Sequence, residues 1–117
     1  MKIHLFDQDQ QTQSLSAGDA VYREGDLGDN MFVVLSGAVD LVIRGKTVET
    51  VEAGGAFGEM ALVEDKPRIA TALVKADAKL VVIDRKRFMF LVQQNPYFAL
   101  QLMNIMAERL RRMDEKL

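Results

Sequence analysis

Two patterns of hydrophobic and polar positions follow one another along this chain, and the change lies near Asp84. Between Leu15 and Asp84, short runs rich in β-branched residues are separated by glycines or polar turns. The runs cover residues 20–23, 31–35, 39–43, 47–51, 69–74 and 80–83. Such short runs are typical of antiparallel strands. The pattern therefore predicts a mainly β structure, a β-roll or jelly roll of about eight short antiparallel strands.

The spacing becomes helical after Asp84. Phe88, Leu91 and Val92 follow a helical period, and Asp84 stands where an N-cap belongs. Asn95 and Pro96 end this first helix and start a second, since proline suits a first helical position. The chain is therefore predicted to be one domain, with a loose N-terminal segment over 1–14, the β-roll over 15–84 and two C-terminal helices over 85–117.

Composition excludes several classes of protein. The 117 residues suit a single domain with a real core. There is no cysteine and one histidine, so disulfides, a thiolate metal site and a histidine-rich zinc site are not expected. The chain has no apolar run long enough for a membrane helix or a signal peptide, which favours a cytoplasmic location. A net charge of −2 argues against a general nucleic-acid footprint.

The most informative stretch reads GGAFGEMAL over residues 54–62 and PRIAT over 67–71. Glycines let the backbone approach a ligand closely, and a short helical turn after them would point amides at an anion. The Arg68 guanidinium can bind phosphate oxygens, whereas the Glu59 carboxylate suits a neutral hydroxyl. Together they fit a cyclic ribose phosphate. An Arg68–Glu59 ion pair that closes a loop is the alternative.

These two motifs resemble the phosphate-binding cassette of cyclic nucleotide-binding domains. The upstream segment YREGDLGDNMFVVLSG, residues 22–37, resembles the same family's glycine-bracketed strand pair. The resemblance implies that Glu59 binds the ribose 2′-hydroxyl and Arg68 the cyclic phosphate. It also implies a set of further ligand-binding positions: Gly58, the backbone amides of Met60, Ala61 and Ala70, and the apolar side chains of Leu41 and Val48, which could equally be ordinary core.

The sequence departs from its relatives at several positions. Ile69 follows Arg68, where guanine-selective relatives carry a hydroxyl residue, so the resemblance implies that cyclic AMP binds better than cyclic GMP. Met113 and Asp114 replace hydroxyl residues that contact the adenine in catabolite activator-like proteins. Those proteins continue into a helix-turn-helix domain, for which this chain has no room, so specific DNA binding is not expected.

The last helix carries a heptad seam formed by Ala99, Met103, Met106, Leu110, Met113 and Leu117. A neighbouring stripe of Phe98, Leu102 and Ile105 could dock on the roll. The seam predicts a possible homodimer through residues 96–117, and one broad core-facing stripe on a monomer is the alternative. Arg109 aligns with an arginine that reaches the nucleotide in catabolite activator-like relatives. In a parallel dimer it could instead pair with Asp114 of the partner.

The sequence is interpreted as a cyclic nucleotide sensor that prefers cyclic AMP, needs no further cofactor or metal, has no catalytic activity and signals to an unidentified protein partner. Two rivals remain. One is a degenerate member of the family that serves only as a dimerising interaction domain. The other is a β-roll enzyme of the cupin type, which the single histidine disfavours.

Overall fold

The computed structural model of the chain describes residues 2–7 and 11–115. Its elements, in chain order, are β1 (Thr12–Leu15), β2 (Ala20–Tyr22), β3 (Asn30–Ile43), β4 (Lys46–Glu52), β5 (Ala56–Phe57), α1 (Met60–Val63), β6 (Thr71–Asp84), α2 (Arg85–Gln94) and α3 (Pro96–Glu115). The predicted antiparallel roll with two C-terminal helices is confirmed.

The sheet is built around the antiparallel pairing of β3 with β6. Each strand has 14 residues, and their register runs from Asn30 opposite Asp84 to Val42 opposite Thr71. β1 and β2 pair with β6, whereas β4 and β5 pair with β3. The strand count among the described residues is lower than predicted because β3 and β6 each unite two of the predicted runs. The β3–β6 register shifts around residues 34–39, near Gly37. The φ of Gly37 is 85°, a conformation that glycine adopts readily.

Both faces are largely buried where residues 31–34 of β3 pair with residues 80–83 of β6, which explains the continuous apolar runs there. Met31 and Val33 face one hydrophobic cluster with the C-terminal helices, while Phe32 and Val34 face a second cluster inside the roll. This split follows from the two-residue period of a strand.

The two helices pack on the first cluster. The Asp84 carboxylate accepts a hydrogen bond of 2.8 Å from the Arg87 amide and so caps α2, as the sequence predicts. Phe98, Leu102 and Ile105 of α3 are buried against the roll, which confirms the predicted docking stripe. Among the described residues, no helix is long and apolar enough to cross a membrane.

The prediction of a loose segment over residues 1–14 is wrong for the part that the structure describes. Ile3 and Phe6 are buried in the first cluster, and the Ile3 amide donates a 2.7 Å hydrogen bond to the Gly54 carbonyl. Thr12–Leu15 forms β1 on the edge of β6. The segment is mostly polar, and Ile3 and Phe6 were not recognised as core residues because isolated apolar residues give no periodic signal. Residues 1, 8–10 and 116–117 lie outside the described residues, and so does Leu117 of the predicted seam.

Candidate functional site

A cavity of about 390 Å³ lies between the roll and α3. Every residue that the sequence predicts as ligand-binding lines it: Leu41, Val48, Gly58, Glu59, Met60, Ala61, Arg68, Ile69, Ala70 and Arg109. The sequence analysis did not predict Tyr22, which also lines the cavity, or the lid that α3 forms with Met106, Leu110 and Met113. The predicted residues therefore converge on one site from five separate segments of the chain.

Arg68 is fixed by backbone carbonyls. Its Nη1 donates to the Gly58 carbonyl and its Nη2 to the Asn30 carbonyl, each at 2.7 Å. Its Nε is buried and has no acceptor among the described residues. The guanidinium is therefore held in place, and its buried Nε–H is available to another acceptor.

The cassette between β5 and Arg68 makes a single helical turn. α1 starts directly after Gly58 and Glu59. The φ of Gly58 is 80°. The turn that the sequence predicts at residues 59–62 is confirmed. The Ala61 amide makes only a long hydrogen bond of 3.3 Å to the Gly58 carbonyl. Met60 and Ala61 stand at the edge of the cavity, and Ala70 lies buried beside Arg68.

Glu59 pairs with Arg109 and not with Arg68. The Glu59 carboxylate is 4% exposed and accepts a 2.8 Å hydrogen bond from Arg109 Nη1. Arg109 Nη2 donates at 2.7 Å to the Ala56 carbonyl, and its Nε donates to Glu49. The alternative of an Arg68–Glu59 pair is therefore wrong. All three guanidinium nitrogens of Arg109 donate to acceptors of its own chain. Its pairing with Asp114 of a partner stays a prediction.

Glu49 is a buried carboxylate that the sequence analysis missed. Besides Arg109, it binds Arg112 of α3, with 2.6 Å between Oε1 and Nη2. Its side chain is 8% exposed. The register explains its direction, since Leu41 pairs with Glu49 and Val42 with Thr47, which leaves Val48 as an extra residue. Such a bulge re-aims the side chains beside it. In the sequence, the odd spacing of Val48 and Val51 breaks the strict alternation of a strand. This break is the signal that could have indicated the bulge.

The charges around the cavity leave one cation without a carboxylate partner. Three basic and two acidic residues line it, so the lining carries a net charge of +1. Glu64 pairs with Lys66 at 3.1 Å and Glu59 with Arg109. Within the described part of the chain, Arg68 makes no ion pair. The site is therefore complementary to a ligand with a single negative charge.

The rest of the lining is mostly apolar. Leu41 and Val48 come from the roll, and Met106, Leu110 and Met113 come from α3. This part of the lining favours an apolar or weakly polar group of a ligand. Ile69 is 68% exposed and lies at the rim.

Tyr22 contributes an aromatic surface beside Arg68. Burial raises the pKa of Tyr22 to about 12, and the nearby Glu59 carboxylate acts in the same direction, while Arg68 and Arg109 oppose it. The phenol is therefore neutral throughout the physiological range. In the described ranges 2–7 and 11–115, no group of three or more histidine, aspartate or glutamate side chains could hold a metal ion.

The sequence model of the cyclic nucleotide-binding domain family matches residues 12–95, well over half of the chain. The chain belongs to the cyclic nucleotide-binding domain family. Its α3, beyond the matched region, completes the cavity of this cyclic nucleotide-binding domain.

Two solved structures and one curated relative show the extent of the likeness. The catabolite activator protein of Thermus thermophilus is 30% identical, with a TM-score of 0.81 over 96% of this chain and 55% of its own. A structure described as cAMP-bound PfPKA-R is 28% identical, with a TM-score of 0.75 over 90% of this chain and 36% of its own. The Rap guanine nucleotide exchange factor 1 of Caenorhabditis elegans is 37% identical over 83 residues, which are 70% of this chain and 8% of that protein. The domain thus spans about half or less of the length of each of these three proteins.

We predict that Glu49→Gln lowers the free energy of unfolding by about 1–3 kcal/mol, because a neutral amide leaves Arg109 and Arg112 with a weaker acceptor in a buried cluster. Glu52→Gln is the matched control, since Glu52 lies on the same strand and is exposed. Urea denaturation of the two variants measures the difference. Equal stability of both variants would show that Glu49 does not hold α3 to the roll.

Proposed function

We propose that this domain is a cytoplasmic sensor that binds a cyclic nucleotide, prefers cyclic AMP and catalyses no reaction. The observation that carries the proposal is Arg68, a positioned guanidinium with a buried donor and no carboxylate partner within the described residues. A cyclic nucleotide has one negative charge, which matches the net charge of the cavity lining.

The family resemblance assigns the roles of the other groups. The cyclic phosphate binds Arg68 and the backbone amides of Met60, Ala61 and Ala70. The ribose 2′-hydroxyl donates to Glu59, whose carboxylate has acceptor capacity left beside its bond to Arg109. The base lies against Leu41 and Val48.

α3 is the element that passes ligand binding to a partner protein. It supplies four lining residues of the cavity and is bound to the cassette through Arg109 and Glu59. A ligand that binds better when α3 is closed shifts the population toward that position. Arg109 holds α3 against Glu59. It also lines the cavity and can therefore face the ligand.

A second candidate function is an interaction domain that dimerises through α3. It is favoured by the exposed apolar side chains of the predicted seam, Met103 at 62% and Leu110 at 64%. We propose this homodimer alongside the sensor. Met106, Leu110 and Met113 of the seam also line the cavity, whereas Met103 belongs to the seam alone.

The replacement Arg68→Ala tests the sensor. Removing one partner of a buried charge pair costs about 2–5 kcal/mol, so cyclic AMP should bind roughly 30-fold to more than 1,000-fold more weakly. Arg111→Ala, which removes an exposed arginine of α3, should leave the affinity unchanged. Titration calorimetry on both variants measures the effect. An unchanged affinity in Arg68→Ala would refute the proposed phosphate site.

The selectivity is tested at Ile69. Because its side chain offers no hydroxyl to the guanine amino group, cyclic AMP should compete better than cyclic GMP for the wild-type domain. Ile69→Thr supplies a hydroxyl and should narrow the difference, while Ile69→Val keeps an apolar branched side chain and should preserve it. Competition titrations with both nucleotides decide the matter. Equal or tighter binding of cyclic GMP by the wild type would contradict the proposed preference.

The homodimer is tested at Met103, which lies on the seam and outside the cavity lining. Met103→Glu places a charge in the proposed interface and should shift the domain to a monomer in sedimentation equilibrium. Leu100→Glu is the control, because Leu100 is 58% exposed on the same helix but off the seam. A wild type that stays monomeric at high concentration, with and without cyclic AMP, would exclude the dimer.

A further inference from the structure

The Tyr22 ring lies against the Arg68 guanidinium. The Arg68 Cζ is 4.1 Å from the centroid of the ring, well within the range of a cation–π interaction. Tyr22 is the last residue of β2, and Arg68 lies in the segment before β6. Tyr22 also lines the cavity, so the contact is part of the site.

The other contacts of Arg68 restrain the ends of its guanidinium and leave its flat surface to the Tyr22 ring. The two 2.7 Å hydrogen bonds to the Gly58 and Asn30 carbonyls fix the ends of the guanidinium. A Cβ atom on Gly28 would lie 3.2 Å from Nη2 and 3.7 Å from Cζ, so the backbone also approaches the group closely there. The Tyr22 ring supports the flat surface of the guanidinium, which in-plane hydrogen bonds do not restrain.

The ring is itself held rigidly. Its centroid is 6.0 Å from the centroids of both Phe32 and Phe57, which stack on each other at 5.2 Å. Phe32 belongs to β3 and Phe57 to β5, and the two residues are paired in the sheet. The support under Arg68 is therefore an aromatic cluster anchored in the sheet.

We propose that Tyr22 is a positioning residue for the anion site: its ring holds the Arg68 guanidinium in the plane in which Nε faces the cyclic phosphate. This inference rests on the proposed function. It concerns the face of the ring and not the hydroxyl, so a phenylalanine should serve equally well. An aliphatic residue of similar size should not.

The test measures cyclic AMP affinity by calorimetry in the wild type, Tyr22→Phe and Tyr22→Leu. Tyr22→Phe should bind within about twofold of the wild type, and Tyr22→Leu should bind about 3-fold to 30-fold more weakly, the range of a cation–π contact. Tyr97→Leu, which changes the other tyrosine of the chain at an exposed site, should bind like the wild type. Full affinity of Tyr22→Leu would overturn the inference.

A double-mutant cycle separates positioning from simple packing. In an Arg68→Ala background, measured by competition at millimolar cyclic AMP, Tyr22→Leu should change the affinity less than twofold. An equal loss in both backgrounds would show that Tyr22 acts on the ligand without Arg68, which refutes the inference. A direct readout is the Arg68 Nε–H signal in NMR spectra, whose exchange with water should accelerate in Tyr22→Leu and not in Tyr22→Phe.

The two proposals fail in different ways. If Arg68→Ala binds cyclic AMP as tightly as the wild type, both the proposed phosphate site and the proposed role of Tyr22 are refuted. If Arg68→Ala binds weakly while Tyr22→Leu binds normally, the phosphate site stands and only the role of Tyr22 is refuted.

Discussion

The antiparallel pairing of β3 with β6 is the constraint on which the site depends. β3 supplies the Asn30 carbonyl at one end and Leu41 near the other. β5 pairs with β3 and leads directly into Gly58 of the cavity lining. β6 continues directly from the segment that holds Arg68, and Tyr22 is placed by the pairing of β2 with β6. Two 14-residue strands with a shifted register near Gly37 thus bring groups far apart in sequence to one cavity.

The two arginines of the cavity illustrate how surroundings decide the role of one side-chain type. Arg109 binds two carboxylates and a carbonyl, so most of its charge is compensated within the chain. Arg68 binds carbonyl oxygens, which orient it without neutralising it. A compensated arginine suits an attachment between elements, whereas an oriented, uncompensated arginine suits an anionic ligand. Sequence spacing does not distinguish these cases.

Local patterns predicted the architecture well. The glycine-punctuated apolar runs indicated the roll, and the helical spacing after Asp84 indicated the two helices, because strand period, turn residues and caps are local properties. They could not show that β3 and β6 are continuous, since a glycine such as Gly37 can mark either a turn or a bend. Glu59 and Arg68 were singled out by their chemistry, and the other eight cavity residues came from the family resemblance. Tyr22 and Glu49 were missed because a cross-strand stack and a bulge depend on register, which no single run encodes.

α3 unites three properties that would otherwise be independent. Its buried stripe docks on the core, Arg109 and Arg112 bind the carboxylate of Glu49, and Met103 on the seam remains exposed. Because a helix moves nearly as a rigid body, a displacement that opens the cavity also repositions the seam. Under the proposed function, ligand affinity and association through the seam would therefore be thermodynamically linked, and each would change the other by the same factor. Such a linkage would require no pathway through the roll, since Met106, Leu110 and Met113 of α3 belong to both the seam and the cavity lining.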